Sequence, residues 1–317
     1  MEELKEKTKR IKYEDRIIGD LRGEHAGPTL IALCGIHGNE PSGIEAIEHI
    51  FEKLRTKKGK FHGRFLGIIG NIEALREEKR FIDEDMNRIW FTSILDKIRR
   101  TPIEQLKTAE RRETKKVLEI IDPILEKSDD ENPVIFMDMH TFSAEDGLFV
   151  ISTRDERNIT LLAQLSVPLI FGIEKTLHGT ALKYFQNTGN IGFAFETGQH
   201  FSESARKNAT AGLMCLLVAS GAIAATDIDD FPRYYDYLNS QTEDLPHKVE
   251  FLYKHIIETD DEFEMRPGFK NFDKVEKGQW LATDRHGKIL AQRDGFILMP
   301  LYQNQGEDGF FIVQETE

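Results

Sequence analysis

From the start of the chain to about residue 226, short apolar runs alternate with longer charged stretches. The runs are TLIALC (29–34), FLGIIG (65–70), VIFMDM (134–139), GLFVIS (147–152) and IGFAFE (191–196). Unbroken apolar runs rich in Ile, Val and Phe are expected of strands covered on both faces. The stretches between them, such as GIEAIEHIFEKLRTKK (43–58) and ETKKVLEIIDPILEK (113–127), space their apolar residues three and four apart, as amphipathic helices do. This alternation predicts an α/β domain over residues 1–226, built on a largely parallel or mixed sheet flanked by helices.

The longest apolar run, ATAGLMCLLVASGAIAAT (209–226), has about the length that crosses a bilayer. Its small residues and charged flanks predict a buried helix instead. Residues 227–247, DIDDFPRYYDYLNSQTEDLPH, are polar, aromatic and Pro-containing, and read as a linker or embracing loop. From Lys248 the pattern changes to short extended segments separated by turn signals at Lys277-Gly278, His286-Gly287, Asp294-Gly295, Gly306 and Asp308-Gly309. Residues 248–317 therefore read as a small all-β module.

Composition narrows the class. With 39% hydrophobic and 31% charged residues the chain is an ordinary globular protein. Its formal net charge of −13 argues against nucleic acid or an anionic membrane as partner. The opening MEELKEKTKRIKYEDR has no apolar core for a secretory signal. Two distant cysteines, Cys34 and Cys215, do not make a disulfide framework. A cytoplasmic location is the default expectation, and a homo-oligomer is allowed.

Candidate chemistry falls where the strands end, which is where open α/β sheets bind ligands. After TLIALC comes GIHGNEPSG, with Pro41 placed to begin a helix. His37 and Glu40 then lie at a loop-to-helix junction, close enough to hold one ion. Alone, such a pair arises often by chance in a Glu-rich chain with ten His. VIFMDMHTFS adds Asp138 and His140 on one face of another strand. His140 supplies a third ligand; Asp138 either supports a ligand histidine or caps the following loop. Two His, one Glu and an open position make a known catalytic zinc arrangement. Glu196 ends IGFAFE and is the candidate general base, while His200, four residues on, reads as a surface or rim histidine. KRFIDEDMNRIW (79–90) carries Arg80, Asn87 and Arg88, donors suited to a carboxylate. In isolation it reads more readily as a solvated charged loop, with Asp83, Glu84 and Asp85 neutralising the arginines.

Taken together, GIHGNEPSG, GNIEALREEKRFIDEDMNRIW, DMHTFS and FAFETGQ resemble the succinylglutamate desuccinylase and aspartoacylase family of zinc hydrolases, which is related to the zinc carboxypeptidases. The ending GFILMPLYQNQGEDGFF resembles the C-terminal module of the same group. The resemblance implies a carboxypeptidase-like fold with one zinc held by His37, Glu40 and His140, and Glu196 as general base and acid. It implies that Arg80 steadies the oxyanion, that Asn87 and Arg88 hold a substrate carboxylate, and that Asn71 lies near the site. The family's C-terminal module leans over the metal, which places Tyr302 and Gln303 near the pocket. Aspartoacylases also carry an Arg shortly before the catalytic Glu, whereas this chain has none between Arg157 and Arg206. Lys183, Tyr184 and His178 are the polar candidates there. The expected substrate is therefore a small N-acyl amino acid or similar amide of open identity. A zinc carboxypeptidase acting on peptides and a non-catalytic zinc-binding relative are the alternatives.

Overall fold

The computed structural model of the protein describes residues 13–128 and 133–316. Residues 1–12, most of the charged opening stretch, lie outside the described residues. In chain order the elements are β1 (Ile17–Arg22), β2 (His25–Cys34), α1 (Ser42–Leu54), β3 (His62–Ile69), α2 (Ile72–Glu77), α3 (Thr92–Arg100), α4 (Ala109–Leu125) and β4 (Val134–Phe142). There follow β5 (Phe149–Ser152), α5 (Glu156–Leu162), β6 (Leu169–Phe171), α6 (Ala181–Asn187), β7 (Ile191–Gln199), α7 (Glu203–Ala219) and α8 (Phe231–Thr242). The chain ends in β8 (Lys248–Ile256), β9 (Glu264–Met265), β10 (Lys274–Val275), β11 (Trp280–Asp284), β12 (Gly287–Leu290), β13 (Gly295–Leu298) and β14 (Asp308–Glu315).

All five apolar runs lie in strands of one mixed sheet, ordered β1-β3-β2-β4-β7-β5-β6-β8-β14-β13-β10. Side chains of a strand alternate between faces. On β2, Leu30, Ala32 and Cys34 enter a core with α1 and α7, while Ile31 and Leu33 enter a second core with α3, α4 and α6. Both faces are thus covered, which is why the central strands read as unbroken apolar runs. Asp138 and His140 share the second face with Val134 and Phe136.

Three expectations change. The apolar run 209–226 is only partly helical: α7 starts earlier, where Ser202 caps it by accepting from the Ala205 N–H at 3.0 Å, and stops at Ala219 before left-handed Gly221. Among the described residues no helix is long and apolar enough to cross a membrane. Residues 227–247 are not a loop. Pro232 sits in the first turn of α8, where its missing N–H costs nothing, and Tyr234, Tyr237 and Leu238 pack on the main core.

The C-terminal strands also do not stand apart. β8 pairs parallel with β6, and β14, β13 and β10 extend the same sheet, while β9, β11 and β12 form a separate three-stranded one. On β14, Phe311 and Val313 join a core with Phe149, Ile151 and Leu182; Phe310 and Ile312 face the local core of the C-terminal strands. Asp308-Gly309, expected as a turn, opens β14.

Candidate active site

β2 ends at Cys34 and the chain turns through residues 35–41 into α1. A Cβ on Gly38 would sit 2.1 Å from the Ala74 carbonyl, so only glycine fits. The Gly38 N–H donates to the Arg80 carbonyl at 3.2 Å, tying this turn to the 79–90 loop. Pro41 stands one position before α1, and its carbonyl accepts from the Ile44 N–H.

The turn points His37 and Glu40 inward, where both meet His140 at the end of β4. The three side chains are buried, and they offer ligand atoms that all lie within 4.8 Å of one another. His37 Nδ1 is 2.9 Å from Glu40 Oε1, and His140 Nδ1 is 3.1 Å from Glu40 Oε2. Each imidazole turns its other nitrogen to a carboxylate: His37 Nε2 is 3.1 Å from Asp85 Oδ1, and His140 Nε2 is 3.0 Å from Asp138 Oδ2. A carboxylate behind the ring is how metal-binding histidines are commonly oriented; for His37 the contact is a hydrogen bond, whereas at His140 neither Asp138 oxygen has a hydrogen-bond partner and Nε2 also faces the Asn87 amide nitrogen. The residues present therefore fit a divalent cation.

Without a cation, protons mediate the same contacts. Burial pushes the Glu40 carboxyl up, but the His37 charge and hydrogen bonds from both imidazoles prevail and hold it well below the usual carboxylate range. Burial pulls His140 down, yet Asp138 and Glu40 raise it well above an ordinary imidazole. Burial likewise opposes ionisation of Asp85, and Arg80 and His37 overcome it, keeping that carboxyl well below its usual value.

Glu196 behaves differently. It lies opposite His140 in the β4–β7 register, 8% exposed, and its Oε2 has no hydrogen-bond partner. Burial is the main cause that pushes its carboxyl up to about 8, reinforced by Glu40 and Asp138. An unpaired buried carboxyl with a pKa near neutrality is suited to moving a proton.

The 79–90 loop is held as a built part of the site. Glu110 on α4 is fully buried and accepts from the backbone N–H groups of Ile82, Asp83 and Glu84 at 2.7, 3.1 and 3.3 Å. Asp85 accepts from Arg80 Nη2 at 3.1 Å while also facing His37, so it neutralises one arginine and orients one histidine. Asp83 and Glu84 instead bind α4, through the Ala109 N–H and Arg111. Arg80 Nη1 reaches 3.5 Å from Glu40 Oε1. Asn87 Nδ2 is 3.3 Å from His140 Nε2, and its Oδ1 accepts from the Ala181 N–H. Arg88 donates to Asp308 Oδ2 at 2.8 Å, and Lys254 pairs with Oδ1 of the same carboxylate.

A cavity of about 120 Å³ opens here, lined by His37, Glu40, Arg80, Arg88, His140 and Glu196 among others. Met299, Leu301, Gln303, Asp308 and Phe311 close it from the C-terminal segment. Three residues expected at the substrate are not among the residues that line the cavity. Asn71 is fully buried as the cap of α2, accepting from the Ala74 N–H and donating to Glu110. Lys183 is not in the cavity wall. Tyr302 is 38% exposed and its hydroxyl is bound to the backbone of Arg266 and Phe269; its neighbours Leu301 and Gln303 face the cavity. His200 is half-buried next to the cavity's lining residues, clasped between Thr141 Oγ1 at 2.7 Å and Gln303 Oε1 at 3.1 Å. The roles of Asp85 and Asp308 escaped the sequence reading. The signal for Asp85 was its place between two arginines, and a carboxylate that opens a strand reads as an ordinary turn.

Residues 26–216 match the family model of the succinylglutamate desuccinylase/aspartoacylase catalytic domain. The chain belongs to this family. It is 25% identical over 282 residues to a succinylglutamate desuccinylase of Shewanella putrefaciens, covering 86% of this chain and 77% of that protein. The desuccinylase of Pseudomonas paraeruginosa is 42% identical over a shorter stretch of 64 residues, 20% of this chain and only 19% of that protein. Among solved structures, the succinylglutamate desuccinylase of Vibrio cholerae shares the fold with a TM-score of 0.66 at 14% identity, over 98% of this chain and 94% of that one.

Proposed function

We propose that this family member is a zinc-dependent amidohydrolase that cleaves a small N-acyl amino acid or similar carboxylate-bearing amide. The observation that carries the reading is the convergence of His37, Glu40 and His140, with the unpaired carboxyl of Glu196 beside them. These three residues would hold the cation, with Asp85 and Asp138 fixing the imidazoles behind it. When bound, a divalent cation supplies Lewis acidity, polarising a carbonyl oxygen and easing deprotonation of water.

The chain's own residues do the rest. Glu196 takes a proton from the attacking water at its free Oε2 and returns it to the amine that leaves. Arg80 has guanidinium N–H groups in the cavity wall and stabilises the oxyanion that develops on the carbonyl. Arg88 binds the substrate carboxylate, its fork aligned by Asp308. Asn87, also in the cavity wall, binds the same carboxylate beside Arg88, its amide held by the Ala181 N–H that donates to its Oδ1. The cavity closed by the C-terminal segment favours a small molecule over the peptides of a carboxypeptidase, and the presence of Glu196 favours an enzyme over a mere metal carrier.

The test is Glu196→Gln, assayed for metal content and for amine release. The variant should keep one zinc per chain and lose turnover by a factor of ~10²–10⁴, the usual contribution of a positioned general base. Undiminished turnover would remove Glu196 from the mechanism.

A further inference from the structure

The cavity has two unlike sides. One carries the candidate metal ligands with Arg80 and Arg88, among the described residues the only lysine or arginine side chains in its wall. Both are engaged, Arg80 by Asp85 and Arg88 by Asp308. The other side is apolar, made by Ile151, Leu177, Leu182, Ala194, Met299 and Phe311. Ala194 lies two residues before Glu196 on β7, hence on the same face, and pairs directly with Ile151 on β5. This apolar wall thus begins beside the candidate general base.

We propose, building on the function proposed above, that this wall is a specificity subsite for an uncharged aliphatic group, so that the substrate carries one carboxylate and not two. Arg88 can serve one carboxylate. A second would face Ile151, Leu177 and Leu182, with no further lysine or arginine among the described lining residues to pair it, in a wall that already carries Glu307 and Asp308. Leaving a charge unpaired against apolar side chains is strongly unfavourable. The cavity of about 120 Å³ is of the same order as the ~150 Å³ apolar cavity that takes up benzene. That volume is shared between the two sides of the cavity, so the aliphatic group it accepts is a short one. The aliphatic group can belong either to the amino acid side chain or to the acyl chain, and the chemistry of the wall is the same for both.

The test measures binding separately from turnover. Zinc-loaded Glu196→Gln protein is titrated calorimetrically with N-acetyl-L-leucine, N-butanoylglycine, N-acetyl-L-aspartate and N-acetyl-L-glutamate. Binding of either aliphatic compound at least tenfold more tightly than both dicarboxylates supports the subsite, and the tighter aliphatic compound tells which group occupies it. Equal or tighter binding of a dicarboxylate, or no binding of any compound, overturns it. Half-buried Leu177→Arg should reverse the preference toward N-acetyl-L-aspartate. If that variant does not fold, Leu182→Ala should weaken the aliphatic compounds several-fold and leave the dicarboxylates unchanged. An unaltered preference in the folded variant also overturns the proposal. Amine release by the wild type is scored in parallel: no release together with a clear aliphatic preference refutes the hydrolase reading and leaves the subsite standing.

Discussion

Replacing Glu110 by Gln removes one hydrogen-bond acceptor from a place where three backbone donors depend on it. Glu110 is fully buried, with Oε1 serving Ile82 N–H and the Asn71 amide, and Oε2 serving the N–H groups of Asp83 and Glu84. The amide keeps one oxygen, so the preferred rotamer satisfies one set of donors and turns an NH₂ group toward the other. Each donor stranded in this way costs ~1–3 kcal/mol. Glu110 also lies in the first turn of α4, where losing a negative charge costs a further ~0.3–1 kcal/mol. The net loss is about 3 kcal/mol as an order of magnitude. Urea unfolding followed by circular dichroism should then show a midpoint lower by ~1–2 M, for a slope of a few kcal/mol per molar. Because the same loop carries Arg80, Asp85, Asn87 and Arg88, amine release should fall even where the variant is fully folded. A midpoint within ~0.3 M of wild type, with full activity, would refute the claim that Glu110 holds the loop.

Other expectations follow from single contacts. Asp85→Asn removes the carboxylate behind His37, and competition with a chelator should show zinc affinity lower by ~10–100-fold. Asp308→Asn loosens Arg88, so steady-state kinetics should show KM rising several-fold with kcat little changed. Cys34 and Cys215 are buried, and burial pushes the Cys215 thiol up to about 12, so a thiol reagent should label neither residue until the protein is unfolded. Burial raises the Glu174 carboxyl above its usual value, so folding favours its protonated form. That contribution is complete below the unfolded pKa of ~4.3 and is lost as pH rises through the raised folded value. Permanently neutral Glu174→Gln should therefore gain stability relative to wild type at pH 8 compared with pH 4, as read by thermal unfolding.

The strands and the convergence of the candidate metal-ligand trio were legible because their signals are local. A strand covered on both faces shows as an apolar run, and His37, Glu40, His140 and Glu196 stand at the ends of such runs. β1 and β6 escaped notice since one is a half-exposed edge strand and the other has only three residues. Residues 227–247 misread as a loop because Pro232 and scattered tyrosines look like breakers, although Pro in a first turn starts a helix and the tyrosines pack on a core that only tertiary structure reveals. Asn71 and Tyr302 were misplaced for a related reason. Both sit next to the site in sequence, but the direction of a side chain depends on the cap or turn it serves, and each serves backbone groups outside the cavity. Asp308 reaches Arg88 across 220 residues, a pairing that no spacing rule discloses.

The most direct measurement is amine release from a panel of N-acyl amino acids by zinc-loaded protein, run beside chelator-treated protein with metal content determined for both. The account predicts release from at least one member, lost with the metal and restored by adding zinc back. One zinc per chain with no release from any member, or release that persists after the metal is removed, would contradict it.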